Sequence, residues 1–169
     1  MHLLDVHFIW GNVPNVAFQT YLPWDHPVRV LMHAHYYRSE TTVFDSVNTL
    51  TAKKALLHRS TAFTFESLQQ VLNDQVVNFV YTPFATQLEA RGLLGEKEMY
   101  PIAEDFADFH ERVHKYVVEY IGMYYKDEHD VAKDKPLLQC WKHMSKSMHG
   151  LPDLNLDSLK DTLSEIIFR

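Results

Sequence analysis

The chain is 169 residues long, enough for one domain with a substantial core. It is 46% hydrophobic and 22% charged with a formal net charge of -6, ordinary for a globular domain. That balance argues against a nucleic-acid partner, because phosphate binding calls for clustered Lys and Arg. No apolar run approaches the roughly 18 to 20 residues of a membrane span, and no secretory leader pattern is visible. A single cysteine, Cys140, cannot close an internal disulfide and favours a reducing, cytoplasmic setting. The unusual entry is histidine, 11 residues against only 5 glycines.

In chain order, Met1 to Gly11 is apolar and reads as the last turns of a helix, which Asn12-Val13-Pro14 is expected to break. Pro23 and Pro27 bracket Trp24-Asp25-His26 in a turn, and Val28 to Tyr37 forms a short apolar-aromatic segment. A helix is predicted from about Thr64 to Tyr81, with Phe65, Leu68, Val71, Leu72, Val76, Phe79 and Val80 recurring at three and four and Pro83 stopping it. A second follows Pro101, with Glu104 and Asp105 supplying negative charge near its N-terminus. Its buried stripe is predicted as Phe106, Phe109, Val113, Val117, Tyr120, Ile121 and Tyr124. Further helices are expected over Leu137 to Met148 and Leu159 to Phe168, separated by the Gly150-Leu151-Pro152 break. Strand-like alternation is scarce, so the class is all-α and the chain one domain, 1–169. The last helix runs apolar to Arg169 with no Gly or Asn cap, which raises the expectation of a domain truncated at both ends.

Candidate chemistry begins at His2-Leu3-Leu4-Asp5-Val6-His7. Two histidines at this spacing diverge by about 140° on an ideal α-helix, so they would share an ion only across a π turn. On the residues alone, an incidental pair near a terminus is the commoner outcome. Elsewhere, His33, His35 and His58 lack partners at helical metal spacing. His110 and His114 stand four apart on one face, where pairing along their own helix beside Glu111 is expected. Lys53 and Lys54 read as solvated lysines and Cys140 as a packed side chain.

The order of the motifs adds to this. His2-Leu3-Leu4-x-x-His7 is followed by Leu22-Pro23, His26-Pro27, Leu31 and His35, then by Val47-Asn48, Ala52-Lys53 and Leu56-Leu57. Leu88-Glu89-Ala90-Arg91-Gly92, Tyr100-Pro101-Ile102-Ala103-Glu104-Asp105, Tyr116 to Tyr120, Tyr124-Tyr125, Asp127, Val131 and Leu138-Gln139-Cys140-Trp141 come next, and Leu163 to Phe168 last. The collinear series resembles the lipoxygenase catalytic domain over nearly the whole chain.

The resemblance implies an incomplete, mainly helical piece of a non-haem iron (Fe) dioxygenase acting on a polyunsaturated fatty acid and dioxygen. It casts His2 and His7 as the first two metal ligands. It also sets Ala52 and Lys53 beside a substrate channel, where a lysine would meet a fatty-acid carboxylate. Transient contact with a membrane surface is compatible with such a substrate. The family's third histidine, weaker fourth side-chain ligand and C-terminal Ile carboxylate have no counterpart here, so the chain alone is expected to be inactive and to hold iron poorly. Departures from the pattern are Gly11 for an acidic residue, Val6 for a small polar one and His110 for Trp. The alternative is a non-catalytic helical scaffold or interaction module built on the same outline.

Overall fold

The computed structural model describes residues 9–36, 49–93 and 101–169. Nine helices are named among them: α1 Gly11–Tyr21, α2 Pro27–Tyr36, α3 Leu56–Ser60, α4 Phe65–Val77, α5 Phe84–Ala90, α6 Pro101–Tyr124, α7 Glu128–Lys133, α8 Lys135–Met144 and α9 Leu156–Phe168. No strand occurs among the described residues. One isolated parallel pairing joins Val80 and His149, where the Tyr81 N–H donates to the His149 carbonyl at 2.6 Å. The all-α class expected from the sequence is what the structure has. No described helix is long and apolar enough to cross a membrane.

Helix ends follow local chemistry. Asp127 caps α7 by accepting from the His129 and Asp130 N–H groups, and Asp134 caps α8 by accepting from Leu137 N–H at 2.9 Å. Asn155 and Ser158 form a reciprocal capping box at the start of α9. Thr64 Oγ1 accepts from Ser67 N–H ahead of α4. The chain leaves α5 through Gly92 at φ 68°, the left-handed position that glycine occupies without a Cβ clash.

Two long-range pairings of helices organise the core: α6 lies against α9, and α1 against α8, while α2 bridges α1 and α6. From α6 come Val117 and Ile121, from α9 Leu159, Leu163 and Ile166, from α8 Leu137, Cys140, Trp141 and Met144, and from α1 Ala17 and Phe18. Val28, Leu31, Met32 and Tyr36 of α2 complete the buried cluster at spacings of three and four.

Several sequence expectations need correcting. Pro14 does not break the first helix, because α1 runs through it. Ile9 and Trp10 lead in through a π-helical turn. The predicted Thr64 to Tyr81 helix ends at Val77, and beyond it Phe79 and Tyr81 are buried as irregular chain. Val71 and Val80, assigned to the apolar face, are exposed. The Leu137 helix starts two residues earlier and ends at Met144.

The largest correction concerns α6. Val117 and Ile121 are fully buried, but Phe106, Phe109 and Tyr124 are exposed, Phe109 at 53%. The helix turns a narrower face to α9 than its apolar stripe suggests. The final helix differs in the opposite sense, since Leu159, Leu163 and Ile166 are covered within this chain and Phe168 is half-buried among Phe84, Phe109 and His110.

Candidate functional site

The site residues that sequence reasoning singled out fall into three groups. His2 and His7 lie outside the described residues. Ala52 and Lys53 are exposed on the short segment before α3. Beside them, Thr49, Leu50, Lys54, Ala55, Leu56 and Arg59 line an open cleft of about 700 Å³. Lys54 adopts φ 67°, a left-handed conformation that side chains rarely take, and its N–H donates to His58 Nδ1 at 2.9 Å. The cleft therefore carries two cations, Lys54 and Arg59, against the apolar Leu50 and Leu56.

The third group is a seam between α6 and α9. His110 Nε2 stands 3.0 Å from Glu165 Oε1, and one turn further His114 Nε2 stands 2.9 Å from Asp161 Oδ1. The two histidines thus pair across to α9, not along α6 beside Glu111 as expected. The i, i+4 spacing on α6 meets an i, i−4 spacing on α9, so both pairs form at once between antiparallel helices. Glu165 is the hub. Its Oε1 also accepts from Phe84 N–H at 3.0 Å, and its Oε2 accepts from the Arg169 guanidinium. Burial pushes the Glu165 carboxyl up, but hydrogen bonds from His110 and Phe84 and the charge of Arg169 outweigh it and hold the carboxyl below its usual range. His110 also stacks on Phe84 and meets Phe168 edge-on, so the imidazole fills an aromatic slot while serving the carboxylate.

His26 makes a second buried network. Its Nδ1 accepts from Val28 N–H, which leaves Nε2–H to donate to Asp134 Oδ2 at 2.9 Å. Tyr125 OH donates to the same oxygen at 2.6 Å. Burial raises the Asp134 carboxyl, and the hydrogen bonds from His26, Tyr125 and Leu137 N–H more than reverse that. One carboxylate so ties the α1–α2 turn, the end of α6 and the start of α8. Sequence reasoning missed this triad, because its members are 99 or more residues from His26 and share no local spacing.

Cys140 is buried, its thiol pushed up to about 12 by burial, which makes it a packing group and not a nucleophile. Among the described residues no three His, Cys, Asp or Glu side chains come together as a metal site requires. His26, His110 and His114 are engaged with carboxylates and His143 with the Tyr21 hydroxyl. The described donors do not fit a resident iron.

Taken together, these features define a helical domain held by buried histidine–carboxylate bridges, with its candidate metal ligands upstream of α1. The lipoxygenase family model matches residues 16–158. The chain belongs to the lipoxygenase family. Among curated proteins, no relative matches it.

Proposed function

We propose that this chain forms part of a fatty-acid dioxygenase, the helical portion of a domain that adds molecular oxygen to a polyunsaturated fatty acid. The single observation that carries this reading is the family match over 16–158, which runs from α1 into α9. His2 and His7 are the iron ligands this sequence would contribute, and they precede the matched span. Ala52 and Lys53 are the proposed substrate contacts. The cationic cleft at Lys54 and Arg59 beside them supports that role, since a fatty acid offers a carboxylate head and an apolar tail to such a surface. A cytoplasmic setting is supported by the single buried thiol.

As purified alone, the 169-residue chain is proposed to be inactive, because the family's other iron ligands have no counterpart in its sequence. The test is conjugated-diene absorbance with linoleate or arachidonate. The expected result is no hydroperoxide from this chain and some from a version extended with the missing histidine helix and terminal Ile. Iron-dependent diene formation by the chain itself would overturn the reading. A second reading, a non-catalytic helical interaction module, is favoured by the exposed aromatic face of α6. No product from the extended version would support it.

A further inference from the structure

Among the described residues, Lys54 is the one side chain other than glycine that sits at a positive φ, 67°. It occupies the third place of the turn Ala52-Lys53-Lys54-Ala55, which the Ala55 N–H closes by donating to the Ala52 carbonyl at 2.9 Å. A positive φ at that place is the position that glycine or asparagine fills with least strain. The chain puts a lysine there instead, and such strain persists only where the surroundings hold it.

His58 is the group that holds it. Its Nδ1 accepts the Lys54 N–H at 2.9 Å, so the ring carries its proton on Nε2. The imidazole is half-buried, and Phe65 at the start of α4 packs against it edge-on, with centroids 5.7 Å apart. Support therefore runs from α4 through Phe65 and His58 to the backbone of Lys54.

What the strained turn presents is a cation. Lys54 and Arg59 are the two cations lining the open cleft, and no Asp or Glu lines it. Neither forms an ion pair with a described residue. Leu50, Ala55 and Leu56 add an apolar wall. Lys53, next in the chain, is exposed but is not part of this lining.

We propose, resting on the fatty-acid reading above, that His58 is a positioning residue: it keeps Lys54 turned into the cleft, where Lys54 and Arg59 take the carboxylate head. His58 does not itself meet the ligand. Without its acceptor the Lys54 turn relaxes toward negative φ, which re-aims the Cα–Cβ bond and leaves Arg59 as the cation in place.

The test is titration of the purified 169-residue chain with octanoate and with 1-octanol, followed by amide NMR shifts. The two probes share a tail and differ in the carboxylate. The parent should bind octanoate about tenfold more tightly, with shifts at Lys54 and Arg59. His58→Ala should weaken octanoate by about fivefold and leave octanol unchanged. His58→Asn should keep the parent's preference, because its Oδ1 stands where the imidazole Nδ1 does. Lys54→Gly takes the turn without strain but lacks the ammonium, and it should lose the preference at least as fully as His58→Ala. A merely structural role for His58 would weaken both probes together, and that outcome would overturn the proposal. So would a His58→Ala chain that keeps its preference for octanoate, which would leave the cleft as a carboxylate site with His58 irrelevant to it. A parent chain that does not prefer octanoate would remove the cleft as well. Diene formation by the extended chain tests the dioxygenase reading separately from all three.

Discussion

His110 on α6 and Glu165 on α9 hold their facing atoms 3.0 Å apart, with Glu165 only 5% exposed at its side chain. A carboxylate this deep must satisfy its lone pairs within the protein, and three groups do so: the imidazole, Phe84 N–H and Arg169. Two carboxylate oxygens thereby join α5, α6 and the C-terminal end of α9. Glu165→Ala should lower stability by about 3 kcal/mol, the order seen when one partner of a buried pair is removed. Chemical denaturation with a two-state fit measures it. Glu165→Gln, which keeps the shape and one acceptor, should lose clearly less.

The pH dependence follows from two carboxyls. Glu165 and Asp134 both titrate below their ordinary range in the folded protein, so the unfolded chain takes up their protons first as pH falls. Their contribution to stability is full above the unfolded carboxylate pKa and is lost as pH drops through the lower folded values. The melting temperature should therefore be insensitive to these groups from neutrality to about pH 5 and fall steeply below about pH 4. Thermal melts of Asp134→Asn and Glu165→Gln should show a shallower acid limb than the parent protein. An unchanged limb in both would show that neither carboxyl governs it.

On α6 the burial pattern separates two sets of side chains of similar character. Ile121→Ala should cost about 2 to 5 kcal/mol, because the residue is fully enclosed. Phe109→Ala should cost less, about 1 kcal/mol, even though it deletes a larger side chain, because the ring is 53% exposed and loses its contact with Phe168. The reversed ranking would mean that α6 is rotated about its axis.

The helices were legible because their signals are local. Pro101 and Pro27 open α6 and α2, and Asp127 and Asn155 cap α7 and α9. The four-residue spacing of His110 and His114 was also visible, but not its partner, since Glu165 and Asp161 lie 55 and 47 residues away. The rotation of α6 was misread because its apolar residues span more than one face. Phe106 and Phe109 share the helix with Val117, but α9 reaches their level only with Phe168, its last residue, so they meet one ring of α9 and stay exposed while Val117 is enclosed. The α4 boundary failed for a different reason. Val76 and Phe79 continue the apolar pattern, but Phe79 and Tyr81 are buried as irregular chain beside Trp10, an environment that helical periodicity cannot foresee. His2 and His7 came from motif resemblance alone, and the described residues add no ligand to them.

That last point sets an expectation for metal content. Two neutral imidazoles bind iron weakly without further ligands, and a site depends on folding to organise it. Purified chain should contain iron well below one equivalent by elemental analysis. Near-stoichiometric iron that disappears in His7→Ala would show instead that these two histidines belong to a complete site.

Arg169 closes the α5–α9 end of the molecule. Its guanidinium donates to Glu165 Oε2 at 3.1 Å and to the Thr82 carbonyl at 2.8 Å, and it lies 4.3 Å from the centre of the Trp10 ring. Three different surfaces, α9, the chain leading into α5 and the entry to α1, meet on one planar cation. Lysine can reach one acceptor as a point charge, whereas the rigid fork of arginine serves two while its face stacks on the indole. Arg169→Lys should therefore lower stability by about 1 kcal/mol. Arg169→Ala should cost about 2 to 3, because it also leaves one buried oxygen of Glu165 without its partner. The same loss should be much smaller when Glu165 is already Gln, and a double-mutant cycle measures that coupling directly. Additive effects of the two substitutions would mean that the Thr82 and Trp10 contacts, not the carboxylate, account for the role of Arg169.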